Sequence, residues 1–276
     1  MIIVLALLIP IINIGIKALF LVSGIFVLMR MCSAYVQKAP LNLNTIMYVG
    51  FLPELITGPY RDYAMWSKPK LSINNFTIKA LNYFLFNLFL ILAAGYMYSF
   101  LKEFSQYLMI KSVLLYIVLF LQFSAACNMV SVISGMFGQP YIENFNKPYT
   151  ARNISDFWAR WHISLGSFVK TYLNQPITFI LIKRGFSRNV AFILSILITY
   201  IFIGTWHNVS NDYFLFGLYF AALIVFERLI LDKYSGENRL FSKKTSYLLG
   251  IMYAQSAHIV GLSIVYNQVE AILIVK

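Results

Sequence analysis

Long apolar runs separated by short polar breaks dominate the chain. The runs at about 80–100, 113–136, 189–207, 213–231 and 246–275 approach the ~20 apolar residues that cross a bilayer, and each predicts a membrane-spanning helix. Residues 1–29 are also apolar but interrupted by Pro10 and Lys17, which predicts one bent span or two half-spans. The stretch "IMYVGFLPELITGPY" at 46–60 is too short and too rich in Pro and Gly to span cleanly. It reads as a re-entrant or broken helix, because irregular backbone at membrane depth is tolerated only inside protein. Between 139 and 188 lies a polar-aromatic segment that is no simple span. The pattern is that of an all-α polytopic membrane protein.

Composition agrees with the pattern. Of the 276 residues 60% are hydrophobic and only 12% charged, where a soluble domain is about one-quarter charged. Mean hydropathy is +0.72. The formal charge of +12 is not arranged as a phosphate-binding stripe, so nucleic acid is not an expected partner. The bases instead sort by loop. Loops 61–79, 139–188 and 228–244 hold 4, 7 and 5 Lys or Arg, 16 in all, whereas 101–112 and 208–212 with the C-terminus hold 3. The positive-inside bias then places the first group in the cytoplasm and loop 208–212 near the outer face. Cys32 and Cys127 each lie in an apolar stretch and read as packing residues. No basic region precedes the first apolar run, so no cleavable signal is expected.

One short stretch departs from this background. "DFWARWHISL", residues 156–165, gathers an acid, a base, two tryptophans and a histidine. On a continuous helix, Phe157, Trp161 and Ser164 share one face, with Trp158, Leu165 and Phe168 beside it. Asp156 and Arg160 have ion-pair spacing, and Ser155 or Asp156 is the expected N-cap. An amphipathic interfacial helix with a tryptophan belt accounts for the aromatics. His162 adds something different, because an ionisable group among apolar residues is costly in a membrane and marks a functional candidate. His207, at the end of "ILITYIFIGTWHN", also directly follows a tryptophan, Trp206.

These residues carry a resemblance. "ENFNKPYTARNISDFWARWHISL" at 143–165, with "GTWH" at 204–207, resembles the membrane-bound O-acyltransferase family. "FLPELITGPYRDY" at 51–63 is similar to a Pro-Gly stretch of that family, and "FLFGLYFAALIVFER" at 214–228 to the span after its second histidine. The teichoic-acid D-alanylating and alginate O-acetylating branches look nearest. The resemblance implies a single transmembrane domain over 1–276, built as a bundle of about 6–8 transmembrane helices with re-entrant and interfacial helices. Family members are usually longer, so the chain is expected to lack N-terminal spans. It also departs from the family pattern at Gln122 and Asn128 in "LQFSAACNM", where acidic residues are common, at Asn208 after "WH", and at Lys170–Tyr172.

The activity so implied is transfer of a D-alanyl or acetyl group from a cytoplasmic thioester, on an acyl carrier protein or acyl-CoA, to hydroxyls of an extracytoplasmic envelope polymer. No bound cofactor or metal is implied. An imidazole suits deprotonation of an alcohol near neutral pH. His207 is the implied base and His162 a second polar or orienting group. Trp158, Trp161 and Trp206 would line a dry acyl tunnel that excludes water. Asn128 or Gln122 could supply a hydrogen bond there or act as helix–helix glue. Loop counting puts the two histidines at opposite faces, so they meet only if 150–180 dips into the bilayer. A multi-pass protein of a bacterial cytoplasmic membrane is expected. A proton-coupled transporter using His162, His207 and His258, and a degenerate non-catalytic relative, are the alternatives. A metal site is less apt, since the three histidines lack ligand spacing.

Overall fold

The computed structural model describes residues 16–55, 57–68, 78–104, 106–230 and 243–271. The described residues are almost wholly helical and contain no strand beyond one isolated bridge, Phe145 to Trp161. Two compact units divide the chain, one of residues 1–144 with 267–276, the other of 145–266.

The first unit begins with α1 (Ile16–Val36) and the short α2 (Leu43–Val49), followed by a 3-10 turn at Leu52–Leu55 and α3 (Tyr63–Trp66). The predicted first span thus continues past residue 29, and its first half lies outside the described residues. The 46–60 stretch is broken as expected, with a cis peptide at Gly58–Pro59. It is anchored by charge: the Glu54 carboxylate accepts from Arg30 at 2.7 Å and from Arg61 at 3.0 Å, all three side chains fully buried. Arg30 also donates to the Tyr48 and Phe51 carbonyls, and Arg61 to that of Pro140. Arg61, counted among the loop cations, is therefore an interior group. Around this triad Tyr48, Phe51 and Trp66 pack at ring distances of 4.9 to 5.9 Å.

Two long helices complete this unit, α4 (Ile78–Leu101) and α5 (Leu108–Met136). Ile91, Ala125, Met129 and Ile133 form the core of their contact. Polar side chains tie the same seam. Gln122 donates to the Ile91 carbonyl at 3.0 Å, and Asn128 donates to Asn87 at 3.0 Å while accepting from Tyr141 at 2.8 Å.

The second unit holds the polar-aromatic segment as a chain of short pieces. They are a 3-10 turn at Pro148–Thr150, α6 (Ile154–Arg160), α7 (Ile163–Val169), a π-helical turn at Lys170–Asn174 and α8 (Gln175–Lys183). The longer α9 (Arg188–His207), α10 (Asn211–Leu229) and α11 (Lys243–Ile264) follow. The closing α12 (Tyr266–Ala271) belongs, from residue 267 on, to the first unit. The break between α11 and α12 divides the last predicted run. α9 and α10 form an antiparallel hairpin whose backbones meet at two glycines. A β-carbon at Gly204 would strike the Tyr213 carbonyl oxygen, and one at Gly217 would come within 3.0 Å of the Ile201 Cα. Small residues permit this approach, on which membrane helices rely for dispersion contact. By length and composition α4, α5, α9 and α11 can each cross a membrane.

Candidate functional site

The predicted continuous helix over 157–168 is corrected by the structure, which breaks it at the Trp161–His162 junction. Trp161 is extended, with φ −101° and ψ 125°, and His162 is left-handed, with φ 46° and ψ 55°. The cause is tertiary pairing of the backbone. Phe145 bridges to Trp161, and the Asn146 N–H donates to the Arg160 carbonyl at 2.9 Å, so the helix yields to an antiparallel contact. Histidine is among the few non-glycine residues enriched in the left-handed region. The break places His162 at the head of α7 instead of on the side of a long helix.

The start of α6 also differs from expectation. Asn153, not Ser155 or Asp156, is the N-cap, its side chain accepting from the Asp156 N–H at 2.6 Å. Asp156 in turn accepts from the Arg152 N–H and pairs with Arg160 at 2.7 Å, the predicted i, i+4 ion pair. Ser155 has another partner: its hydroxyl donates to Glu227 of α10 at 2.9 Å.

The tryptophans of α6 enclose a residue that the motifs do not contain. His258, from α11, is buried with its ring 3.9 Å from Phe157, 5.8 Å from Trp158, 5.7 Å from Trp161 and 5.7 Å from Phe220. It lies outside both motifs. The cost of an ionisable group in an apolar span, applied to "AQSAHIVGL", marks it as well as it marks His162.

His207 ends α9, exposed, with its ring stacked between Trp206 at 6.2 Å and Tyr213 at 5.5 Å. His162 is buried, with Phe145 stacked at 6.4 Å. The structure brings the two imidazoles into electrostatic reach. Burial holds His162 far below the ordinary histidine range, down to about 3, and the charge that His207 would carry adds to this. His162 is thus a neutral imidazole at physiological pH, while His207 is the more open of the two. Gln122 and Asn128 lie in the first unit, where their polar groups serve the α4–α5 seam described above. Among the described residues no group of three His, Cys, Asp or Glu is placed to hold a metal ion.

Comparison with known proteins gives this arrangement a context. Residues 23–260 match the model of the membrane-bound O-acyltransferase family. The chain is 32% identical over 108 residues to the teichoic acid D-alanyltransferase of Bacillus subtilis, covering 38% of this chain and 27% of that protein. It is 35% identical over 102 residues to a peptidoglycan O-acetyltransferase of Helicobacter pylori, 36% of this chain and 18% of that one. A probable alginate O-acetylase of Azotobacter vinelandii is 30% identical over 114 residues, 41% of this chain and 21% of the relative. The matched stretches span about a quarter or less of these relatives' lengths. With most of its length matched, and with helices fit to cross a membrane more than once, the chain belongs to the membrane-bound O-acyltransferase family and is a multi-pass membrane protein.

Proposed function

We propose that the protein transfers an acyl group, D-alanyl or acetyl, from a thioester to hydroxyl groups of a cell-envelope polymer. The observation that carries this reading is that His207 and His162, each set against its own aromatic rings, lie within electrostatic reach of one another in a family member. The names of the relatives point to the same acyl classes and to polymer acceptors.

In the proposed reaction His207 takes the proton of the acceptor hydroxyl as its oxygen attacks the thioester carbonyl. The C–O bond forms, the C–S bond breaks, and the imidazolium returns the proton to the departing thiolate. An open base reaches substrate, and a neutral His162 can hydrogen-bond without competing for the proton. Charge on one imidazole disfavours charge on the other, so a single proton is in play. Trp206, with Trp158 and Trp161, would keep water from the thioester.

The donor side of the proposal is an acyl carrier protein or acyl-CoA in the cytoplasm. Lys183 and Arg184, both exposed at the end of α8, would meet an acidic carrier, mainly raising its on-rate. Loop 208–212 would then face outside and loop 228–244 the cytoplasm. Cysteine labelling with an impermeant reagent at Asn211 and Ser242 in intact cells tests this. Labelling at 242 without labelling at 211 would overturn the topology.

The decisive experiment is acyl analysis of the envelope in cells expressing wild type, His207→Ala or His162→Ala at equal level. Loss of a positioned base costs about 10²–10⁴ in rate, so His207→Ala is expected to abolish acylation and His162→Ala to impair it less. Normal acylation by His207→Ala would reject proton abstraction by this residue. A wild type inactive with every donor would favour the degenerate-relative reading.

A further inference from the structure

Glu227 stands in the last turn of α10. It is 5% exposed. Among the described residues no basic side chain pairs with it. Its carboxylate instead accepts from the first two backbone N–H groups of α6, those of Ile154 and Ser155, and from the Ser155 hydroxyl. Tyr200 and Tyr253 are the other ionisable groups within electrostatic reach of it. These N–H groups are ones a helix start leaves without intrahelical partners, and a negative charge there is also favoured by the helix dipole. A carboxylate 72 and 73 positions away thus does the work of a cap across the tertiary structure.

The other end of α6 is fixed too, by the Phe145 bridge and the Asn146 bond to Arg160. The helix is a strut with two attachments, one to α10 and one to the 145–146 backbone. Directly beyond the second attachment stands His162. α10 is also the partner of α9 in the glycine-packed hairpin that ends in His207. Glu227 therefore joins the element carrying one imidazole to the hairpin carrying the other.

We infer that Glu227 is a positioning residue for acyl transfer, setting the separation of His162 from His207 by clamping the start of α6 to α10. The inference rests on the two-histidine reading above. The lever is short but sufficient. Seven residues at 1.5 Å rise make a strut of about 10 Å, so a tilt of roughly 6° at its start moves the far end by about 1 Å. A displacement of that size can cost on the order of 10²-fold in rate.

The test uses the full protein in native membrane vesicles, with Glu227→Gln, Ser155→Ala and their combination beside His207→Ala. Transfer from radiolabelled acetyl-CoA and from D-alanyl carrier protein is measured, together with amide hydrogen exchange of peptides covering 150–165 and 211–229. Glu227→Gln keeps the volume but sets an amide NH2 against a backbone N–H. It is expected to lower kcat about 10- to 100-fold with the donor KM unchanged, and to raise exchange at 150–165 but not at 211–229. Ser155→Ala is expected to lower kcat only about 3-fold, and the double variant to match Glu227→Gln, since both remove one contact. Unchanged exchange at 150–165 overturns the clamp. Raised exchange with wild-type kcat, or a loss confined to KM, makes Glu227 structural only and overturns the positioning role. Exchange is read whether or not either donor is used, and Ser155→Ala keeps the clamp testable if Glu227→Gln fails to insert. Full activity of His207→Ala would defeat the histidine reading instead, a result distinct from any of these.

Discussion

In the first unit, Arg30 and Arg61 converge on Glu54, three fully buried charges that answer one another directly. In the second, the buried carboxylate of Glu227 meets N–H and O–H donors, and the imidazoles of His162 and His258 lie against aromatic rings. The contrast separates two uses of polarity in an apolar chain. Charges that neutralise one another hold the broken 46–60 backbone in place. A neutral imidazole in an aromatic setting, such as that of His162, can still donate or accept a hydrogen bond without carrying charge. A membrane protein can keep both because the first arrangement is closed and the second contains an open member, His207.

The largest effect is expected at Glu54. Replacing one partner of a buried ion network leaves uncompensated charge and costs about 3–5 kcal/mol. Glu54→Gln leaves two buried guanidinium groups facing a neutral amide, so the detergent-solubilised protein is expected to unfold far below the wild-type temperature. Equal melting temperatures for the two proteins would mean that water or lipid compensates the arginines.

His258 comes next. Its truncation is expected to be costly, because the ring fills the space among Phe157, Trp158, Trp161 and Phe220. Truncating a large buried ring to Ala costs about 3–5 kcal/mol for Phe or Trp, and the smaller imidazole is expected to cost roughly 2–4. His258→Phe keeps the volume and is expected to cost less than about 1.5 kcal/mol. A thermal shift series over the two variants separates packing from chemistry: an inactive but stable His258→Phe would assign the imidazole a part in the reaction.

How much of this was legible beforehand differs by element. The runs that became α4, α5, α9 and α11 announce themselves, because crossing a bilayer demands a length that few other structures need. His162 and His207 stand out as candidates for the related reason that an ionisable group among apolar residues is costly. The break at Trp161–His162 was not legible, since it depends on pairing with Phe145, sixteen residues earlier, and no local propensity announces it. The part played by Glu227 was not legible either, its partners being more than seventy positions away. Arg30 lies just past the first predicted span, and without it Glu54 and Arg61 look like loop residues.

The α9–α10 hairpin gives a smaller effect. Gly217→Ala would press its β-carbon into the Tyr200 carbonyl and the Ile201 backbone. Overpacking of this kind costs about 1–3 kcal/mol, and it acts on the segment that delivers His207. Gly217→Ala is therefore expected to lower the melting temperature modestly and acyl transfer more strongly, whereas Gly135→Ala in α5, with open space around its Cα, is expected to change neither. Equal responses at the two glycines would remove close backbone approach as the reason for the first.

The smallest effect tests the contrast through pH. Burial lowers the His162 pKa to about 3 in the folded protein, against about 6.5 for an unfolded chain. Between those values the unfolded chain binds a proton that the folded one refuses. Stability therefore rises with pH through this window, is complete above about 6.5, and is lost as the pH falls towards 3, with a slope approaching 1.4 kcal/mol per unit. Going from pH 6.5 to 5.0 is expected to cost the wild type roughly 1–2 kcal/mol on this account. His162→Asn removes the titrating group, and asparagine also tolerates the left-handed backbone there. Its melting temperature is expected to fall less than that of wild type between the two pH values. The Glu54→Gln variant, destabilised at every pH, is expected to keep the wild-type slope. If His162→Asn retained that slope as well, the acid sensitivity would belong to groups other than this imidazole, and the neutral-histidine half of the comparison would lose its support.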